Sequence, residues 1–542
     1  MKPKSLAAAT LAAVQALAVM ATVAVTDDVH AFCGFYVSGA TESLYNNATQ
    51  VVMMRDGTRT ILSMQNSYEG PPGDFAMVVP VPVVLQKENV KTLNKAAFTK
   101  IDQMAAPRLV EYWETDPCYV DKHKDYKRKG GIVLPSAVEE SEAGEGGGVV
   151  VEAQFTVGEY EIVILSASDS GGLDKWLRAN KYNIPQGAEA VLRPYVEAGT
   201  KFFVAKVDVK KVKFEGNRAV LSPLRFHYDS KDFTLPIRLG LLNARGHQDV
   251  IVHILARGQR YQVANYKNVT VPTNLVVDND VRARFGEFYA ALFDETLAQN
   301  PKAVVTEYSW DAGTCDPCPG PTLGPDDFLT FGADATQGKE TYGFVLTRLH
   351  ARYTKETLGE DLVFEAAPPL VGGRGTPDSY GELQEKGSKP GGVNNFQGRY
   401  AILHPWEGEI ACQSPVRGRW GGPPGKGAQG TQAATDLANV KRGNAQLTKL
   451  VRQDVPEIKL KTANKLPALS ATKVAGDAPS SAPASGAGDA PASAPSTGAA
   501  TPDDEESPSG SGCAVGSGSQ SGGFGLLALG LVVGLVFRRR NR

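Results

Sequence analysis

The pattern of hydrophobic and polar positions predicts many short strands between residues 32 and 415. Runs rich in β-branched, aromatic and other apolar residues, bounded by turn residues, are typical of strands. Asp56-Gly57 separates the first two runs and predicts a hairpin turn. The predicted strands are residues 50–55, 58–65, 75–83, 149–155, 159–166, 202–209, 219–228, 235–242, 249–256, 303–310 and 344–353.

Helical spacing of apolar residues is confined to four segments, residues 87–104, 173–180, 188–198 and 281–298. The helices do not alternate regularly with the strands, which argues against a doubly wound parallel sheet. We therefore expect an α+β fold, a strand-rich globular domain with several helices. Residues 32–415 have the length of one large domain or two coupled ones.

The composition changes after residue 415. Residues 416–512 are rich in Gly, Pro, Ala and Ser, and predict a disordered linker or stalk in which only residues 435–450 fit a short helix. Beyond Lys465 this segment has almost no large apolar residue, so burial cannot offset the entropy of ordering it. A stalk of this kind would hold the domain away from its anchor.

The N-terminus has the pattern of a secretory signal peptide over residues 1–31. Two lysines precede an apolar run, and Ala31 then predicts cleavage before Phe32. The alternative is an uncleaved membrane anchor, because the run is nearly long enough to span a bilayer.

The last thirty residues, 513–542, resemble a sorting signal. An apolar segment, residues 522–537, would reach only about 24 Å as a helix, and Arg538–Arg542 follow as a basic tail. Gly512-Cys513, a Gly/Ser spacer and this tail resemble the myxobacterial C-terminal sorting signal (MYXO-CTERM). That resemblance implies cleavage near Cys513 by a membrane sorting protease, lipid attachment at Cys513 and display on the outer membrane after an inner-membrane intermediate. The alternative is an ordinary single-pass transmembrane anchor.

A second resemblance covers most of residues 32–400. Its motifs are Phe75–Pro82, Leu173–Leu177 with Tyr182–Pro185, Leu235–Gly240, Leu346–His350 and the Cys33–Phe35 start. They are similar to the bacterial secreted family called domain of unknown function 2330. The resemblance implies a domain boundary but no activity.

The charge balance excludes nucleic acid as an expected partner, since 57 basic residues face 59 acidic ones. An oxidising exterior favours disulfides among the five remaining cysteines. These are Cys33, Cys118, Cys315, Cys318 and Cys412. We prefer Cys33 with Cys118, and either Cys315 with Cys318 or one of that pair with Cys412, but the sequence leaves the connectivity open.

Cys315-Asp316-Pro317-Cys318 invites comparison with redox-active CxxC motifs. Redox chemistry needs a helix that starts at the pair and lowers the pKa of its first thiol. Pro319-Gly320-Pro321 blocks such a helix, so we favour a structural disulfide. A zinc site would need further ligands that no second CxxC supplies.

His247, Asp249 and His253 are candidate metal ligands, because their spacing places them on one face of a strand. Partial burial is the alternative, since Ile251 shares that face. We expect no cofactor, and no residue has a recognisable catalytic pattern. Trp406 and Trp420, in predicted loops, are candidates for contacting a glycan or a protein partner.

The sequence predicts an exported protein of the cell envelope, held by its C-terminal membrane anchor and most consistent with a binding or structural domain. An extracellular protein or glycan is the expected ligand. The alternative is a secreted, hydrolase-like enzyme whose site is assembled from distant residues.

Overall fold

The computed structural model describes residues 34–38, 48–66, 68–69, 75–119, 150–167, 170–184, 187–215, 218–243, 246–354, 356–423 and 431–466. All of them belong to the first of two units, residues 1–477 and 478–542. The predicted signal peptide with Ala31 and Phe32, Cys33, Cys513 and the apolar segment 522–537 lie outside the described residues. Among the residues described, no helix combines the length and the hydrophobicity needed to cross a bilayer.

Strands dominate the described structure, and the fold is α+β as predicted. The strands are β1 (Phe35–Ser38), β2 (Ala48–Asp56), β3 (Arg59–Asn66), β4 (Tyr68–Glu69), β5 (Phe75–Val81), β6 (Val90–Thr92), β7 (Arg108–Glu114), β8 (Val150–Val157), β9 (Tyr160–Ser166), β10 (Lys201–Val207), β11 (Lys213–Glu215), β12 (Arg218–Val220), β13 (Leu224–Asp229), β14 (Thr234–Leu235), β15 (Gln248–Arg257), β16 (Arg260–Val263), β17 (Lys267–Val269), β18 (Leu275–Val276), β19 (Ala303–Asp311), β20 (Phe344–Tyr353), β21 (Leu362–Ala367), β22 (Leu370–Gly372), β23 (Ser388–Pro390), β24 (Asn395–Gln397), β25 (Arg399–His404), β26 (Trp420–Gly421) and β27 (Gln432–Ala433).

The α-helices are α1 (Lys95–Ala105), α2 (Ser170–Ala179), α3 (Ala188–Glu197), α4 (Phe285–Gln299), α5 (Pro325–Phe331) and α6 (Leu447–Leu450). Short 3-10 helices cover Lys87–Asn89, Val209–Lys211, Arg238–Leu242, Asn279–Arg284, Ala333–Ala335, Leu437–Asn439 and Pro456–Ile458.

An 11-stranded mixed sheet forms the centre, in the order β23-β22-β24-β19-β20-β15-β2-β3-β13-β6, with β17 beside β19. The predicted hairpin joins β2 to β3: Asp56 lies opposite Arg59, and Gly57 adopts a left-handed φ of 57°. Strand β15 pairs with β2 in parallel and with β20 antiparallel. This arrangement places β15 and β20 deep inside the sheet.

The largest hydrophobic core lies between one face of the central sheet and a five-stranded antiparallel sheet in the order β1-β5-β10-β9-β8. Val252 of β15 and Phe203 of β10 belong to this core. Helices α2 and α3 cover the other face of the five-stranded sheet, where Leu177 and Leu192 pack with Val204. Strand β5 is buried along its whole length, and its alternate side chains belong to the two cores on either side of the sheet, such as Met77 to one and Val78 to the other.

The opposite face of the central sheet is covered by α1, α4 and α5. Helix α4 buries Phe288 and Leu292 between Val305 of the central sheet and Tyr400 of a further five-stranded sheet. That sheet has the order β18-β25-β7-β26, with β27 also paired to β7, and its strands β18, β25 and β7 run parallel. We call it the C-terminal sheet.

Several sequence-based predictions of secondary structure are wrong in part. The predicted strand 219–228 is divided into β12 and β13, and the predicted helix 435–450 contains only the 3-10 helix Leu437–Asn439 and α6. The predicted strand 235–242 is largely the 3-10 helix Arg238–Leu242, because the backbone N–H groups of Ile237 and Arg238 donate to the carboxylate of Asp361. The predicted helix 87–104 starts at Lys95, because β6 pairs with β13 and the Asn94 side chain caps the helix.

The folded region extends beyond the predicted boundary at residue 415. Strand β26 pairs with β7, and residues 431–466 pack on α4 through Leu450, Val451 and Val455. The predicted disordered linker 416–512 is therefore corrected: residues 416–423 and 431–466 are part of the fold. Scattered apolar residues are buried here by tertiary contacts that the Gly- and Pro-rich composition conceals.

We predict that Leu450→Ala lowers the free energy of unfolding by about 2–4 kcal/mol, because it leaves a cavity against α4. Urea denaturation followed by tryptophan fluorescence measures the change. Lys449→Ala, one residue away and exposed, is the control and should cost less than about 0.5 kcal/mol. Equal stabilities of the two variants would contradict the packing of this segment.

Candidate functional site

The candidate metal ligands do not form a common site. Asp249 and His253 lie on β15 and are completely buried on the face that packs against α1 and α4, whereas His247 is exposed in the preceding turn. In the part of the chain that the structure describes, no group of three or more His, Cys, Asp or Glu residues is arranged to hold a metal ion. Asp249 and His253 instead contact arginine and histidine side chains.

Arg348 of β20 lies at the centre of this buried cluster. Its Nε donates to Glu307 Oε2 at 2.6 Å, and its Nη1 donates to the carboxylate of Asp102 on α1. His253 Nε2 lies 3.2 Å from Arg348 Nη1 and accepts from it. Burial and the neighbouring Arg348 lower the pKa of His253 to about 3, so the ring is neutral.

His350 extends the cluster along β20. Its Nδ1 lies 2.9 Å from Glu307 Oε1 and its Nε2 lies 3.0 Å from Asp249 Oδ1. Burial acts to lower the pKa of His350, but the Glu307 carboxylate and the two hydrogen bonds raise it above its ordinary value. Each ring nitrogen faces a carboxylate oxygen, an arrangement in which an imidazolium donates from both nitrogens. The ring of Phe293 on α4 stacks on His350 with 4.2 Å between ring centroids.

Asp249 connects the cluster to the C-terminal segment. It accepts from Arg352 and, at 3.1 Å, from Arg442 Nη2, while Arg442 also pairs with Asp294 of α4. Burial acts to raise the pKa of Asp249, but Arg442 and the hydrogen bond from His350 lower it to about 2. Arg442 is thus held against both β15 and α4.

A β-bulge brings Glu307 into the cluster. The register of β19 against β20 shifts between Thr306 and Tyr308, so that Glu307 reaches Arg348 and the face of α4. Tyr289 Oη donates to Glu307 Oε1 at 2.9 Å. Burial acts to raise the pKa of Glu307, but the cationic neighbours His350 and Arg348 lower it to about 2.

The cluster is electrically balanced and closed to solvent at its centre. Its cations are Arg348, His350, Arg352 and Arg442, and its carboxylates are Asp102, Asp249, Asp294 and Glu307. Buried charges persist only when they are paired and hydrogen-bonded. The cluster fits a structural role, and the metal hypothesis for His247, Asp249 and His253 finds no support in this geometry.

Two disulfides are present among the described cysteines. Cys118 pairs with Cys412, so the predicted pairing of Cys118 with Cys33 is wrong. Cys315 pairs with Cys318, which is one of the two pairings predicted for these cysteines. Spacing along the chain gave no signal for the first bond, because its cysteines are 294 residues apart.

The Cys315–Cys318 loop is braced by buried arginines. Arg108 donates to the carbonyl oxygen of Pro317 at 2.6 Å, and Arg399 donates to the carbonyl oxygen of Asp316. The next α-helix, α5, begins only at Pro325. These contacts agree with the structural role favoured from the sequence.

An open groove lies at the carboxyl ends of the parallel strands β18, β25 and β7. Its first lobe has a volume of about 620 Å³ and is lined by residues that end or follow these strands, including Asn279, His404 and Thr115. A second lobe of about 540 Å³ shares Leu403, Arg452 and Leu466 with the first. Loops diverge at the carboxyl ends of parallel strands, which is where ligands of such sheets bind.

Aromatic side chains line both lobes. In the first lobe Trp113 stacks on His404 with 4.5 Å between ring centroids. Trp406 lies against Gly408, where a Cβ would approach the indole ring to 2.6 Å. Trp420 and Tyr380 line the second lobe, and Tyr380 is 76% exposed. The structure thus brings the candidate residues Trp406 and Trp420 to one groove.

Ion pairs with residues behind the first lobe hold two of its polar lining residues, His404 and Glu114. His404 Nε2 lies 2.7 Å from Glu111 Oε2, and Arg282 donates to both oxygens of Glu111. Burial acts to raise the pKa of Glu111, but the hydrogen bonds from Arg282 and His404 lower it. Glu114 is similarly held by Arg417 and by backbone N–H groups, so both carboxylates stay ionised.

The Cys118–Cys412 disulfide joins two loops of the groove. Cys118 follows the carboxyl end of β7, and Cys412 follows the loop that carries Trp406 after β25. The bond therefore fixes the distance between the two loops that flank the first lobe. A crosslink of two distant segments restricts the unfolded chain and fixes local geometry in the folded one.

Residues 28–365 match the model of the family described as "Uncharacterized protein conserved in bacteria (DUF2330)", and the chain belongs to this family. This confirms the resemblance on which the family was predicted. Neither the curated proteins nor the solved structures contain a match. Most of the groove lies outside the matched residues, since β25, Trp406, Trp420 and Arg452 follow residue 365.

Sequence reasoning missed the strands that build the groove. Strands β7 and β25 were not predicted, although Leu109–Trp113 and Tyr400–Leu403 are short apolar runs of the kind that forms buried strands. His404 and Glu111 are 293 positions apart in the sequence, so no local pattern predicts that they pair.

We predict that the buried cluster makes stability fall at low pH. The carboxylates of Asp249 and Glu307, with folded pKa values of about 2, bind protons more readily in the unfolded chain, so stability is lost as pH falls from about 5 toward 2. His253, with its lowered pKa, adds to the loss below its ordinary value of about 6.5. His350 acts oppositely, and its contribution is lost as pH rises through its raised pKa.

Urea denaturation between pH 3 and pH 8 tests this prediction. Glu307→Gln should lower the free energy of unfolding by about 3–5 kcal/mol at neutral pH, because it leaves buried cations without a partner. It should also make the free energy of unfolding depend less on pH in the acid range. Glu365→Gln, which changes an exposed residue of β21, is the control and should leave the stability and its acid dependence nearly unchanged. Wild-type stability that stays flat from pH 5 to pH 3 would disprove the paired, ionised cluster.

We further predict that replacing both Cys118 and Cys412 by serine lowers stability by about 2–4 kcal/mol. It should also increase amide hydrogen exchange in residues 405–412, because this loop loses its tether to β7. Replacing both Cys315 and Cys318 is the comparison, since that bond closes a much shorter loop. If the two double variants exchange equally in residues 405–412, the disulfide does not fix the groove.

Proposed function

We propose that this protein is an exported binding protein, anchored at the cell surface by its C-terminal signal and presenting the groove of the C-terminal sheet to a ligand. The terminal sequences support the location: a signal peptide over residues 1–31 and a sorting signal around Cys513. In this proposal the disulfides form after export, and the segment between residue 466 and Cys513 is the stalk.

The binding proposal rests on the contrast between the buried cluster around Arg348 and the groove of the C-terminal sheet. The buried cluster is closed, and its side chains are engaged with one another. The groove is open, and its aromatic and polar side chains face a volume large enough for a small ligand. A concave surface with aromatic walls and a few fixed polar groups is typical of binding sites.

A hydrolase, the alternative from the sequence, has less support. His404 and Glu111 resemble the base and its orienting carboxylate, but catalysis of this type needs a nucleophile hydrogen-bonded to the histidine. Among the described residues, no serine, threonine or cysteine side chain makes that hydrogen bond. Glu111 is also neutralised by Arg282, which leaves the pair in a positioning role.

We predict that the mature protein ends near Cys513 and carries acyl mass on that residue. Mass spectrometry of protein from the outer-membrane fraction measures both, and protease treatment of intact cells tests exposure of the folded domain. Cys513→Ser should leave the tail uncleaved and the protein in the inner membrane, because the attachment atom is missing. Ser511→Ala is the control and should be processed normally.

A mature chain that ends at Arg542 would overturn the proposed sorting. Recovery of the protein from the cytosol with Cys118 and Cys412 reduced would overturn export itself.

A further inference from the structure

The two lobes of the groove form one elongated site. Leu403, Arg452 and Leu466 line both lobes and lie where the lobes meet. Trp113 and Trp406 belong to one lobe, and Trp420 and Tyr380 belong to the other. Aromatic side chains therefore line both lobes of the site, which suits a chain-like ligand made of repeated units.

The cations of the site are paired within the protein. Lys465 Nζ lies 2.6 Å from Asp454, and Lys386 Nζ lies 3.9 Å from Glu382. Arg452 Nη1 lies 3.1 Å from Asp278 Oδ2. An anionic ligand would have to compete with these carboxylates for each cation.

The carboxylates at the rim favour a ligand that donates hydrogen bonds. Asp116 lines the first lobe and accepts from the backbone N–H of Cys118 at 2.8 Å, which leaves acceptor capacity on its carboxylate. Glu407 is exposed at the same lobe. The Trp406 side chain is partly exposed in this lobe, but its indole Nε1 is buried and does not face the ligand volume. Hydroxyl groups can donate to such carboxylates without carrying a charge of their own.

The edges of the C-terminal sheet have few unpaired backbone groups with which a peptide strand could pair. The outer edge of β18 is occupied, because Val276 O accepts from the N–H of Arg452 at 2.9 Å and Val277 bridges to Val451. At the other edge β26 is only two residues long. Recognition of an extended peptide by strand addition needs a longer free edge.

We propose that the groove binds a neutral oligosaccharide, with sugar rings stacked on its aromatic side chains and hydroxyl groups hydrogen-bonded at its rim. This inference rests on the proposed binding function and specifies its ligand class. The apolar faces of sugar rings bury against aromatic rings, and the paired charges of the site leave no net attraction for an acidic chain.

The test uses the processed full-length protein, purified in detergent from cell envelopes. Neutral hexasaccharides of β-1,4-glucose, β-1,3-glucose and β-1,4-N-acetylglucosamine are titrated by calorimetry and by tryptophan fluorescence. Anionic hexagalacturonate, the cationic hexamer of glucosamine and an unstructured peptide of mixed sequence are the comparison probes. We expect saturable binding of at least one neutral hexasaccharide that changes little between low and high salt.

Variants locate the binding. Trp406→Ala should weaken affinity by about tenfold, and Tyr380→Ala should weaken it by about threefold, because each removes a stacking surface. Tyr380 is so exposed that its replacement should not affect folding, which protects the test if Trp406→Ala is unstable. Tyr342→Ala, which removes an exposed tyrosine that does not line the groove, is the matched control and should bind as the wild type does.

The failures of the two proposals can be distinguished. If no neutral hexasaccharide binds, the oligosaccharide inference is wrong. If in that case a charged probe or the peptide binds and Trp406→Ala weakens that binding, the groove remains the binding site with another ligand. If a neutral hexasaccharide binds equally well to the wild type, Trp406→Ala and Tyr380→Ala, the sugar binds elsewhere. That result would overturn the proposal that the groove is the binding site.

Discussion

The pairing of buried charges on one face of the central sheet constrains much of this fold. Four cations and four carboxylates meet there, and removing one partner would leave an uncompensated charge in the interior. The partners come from several parts of the chain: β20 supplies Arg348, His350 and Arg352, while α1 supplies Asp102, α4 supplies Asp294 and the C-terminal segment supplies Arg442. The cluster can be satisfied only when these elements are all in place, so it specifies their arrangement.

The same constraint explains why the C-terminal segment belongs to the domain. Arg442 bridges Asp249 and Asp294, and the apolar residues that follow it cover α4 beside the C-terminal sheet. Residues 450–452 then close the outer edge of β18 and carry Arg452 to the junction of the two lobes. The groove is therefore built on elements whose positions depend on the buried cluster, although the cluster itself does not face the groove.

Local patterns predicted the parts of the fold that depend on neighbouring residues. The β2–β3 hairpin, strands β15, β19 and β20 and helices α2, α3 and α4 were expected close to their observed positions. Predictions were wrong where a residue distant in sequence determines the conformation. The carboxylate of Asp361, for example, accepts hydrogen bonds from the backbone N–H groups of Ile237 and Arg238. The linker boundary failed for the same reason, because residues 431–466 are ordered by contacts with α4 rather than by their own composition.

By itself the sequence determined the strand-rich α+β class, the family and two candidate aromatic residues of the groove, Trp406 and Trp420, because these depend on composition, short periodic patterns and local motifs. Only the tertiary structure decided that Asp249 and His253 are enclosed by arginines, that Cys118 joins Cys412, and that β7 and β25 end together beneath the groove. The physical reason is distance along the chain: the pairs that define the cluster, the disulfide and the groove lie about forty to three hundred residues apart, and folding alone brings them within bonding distance.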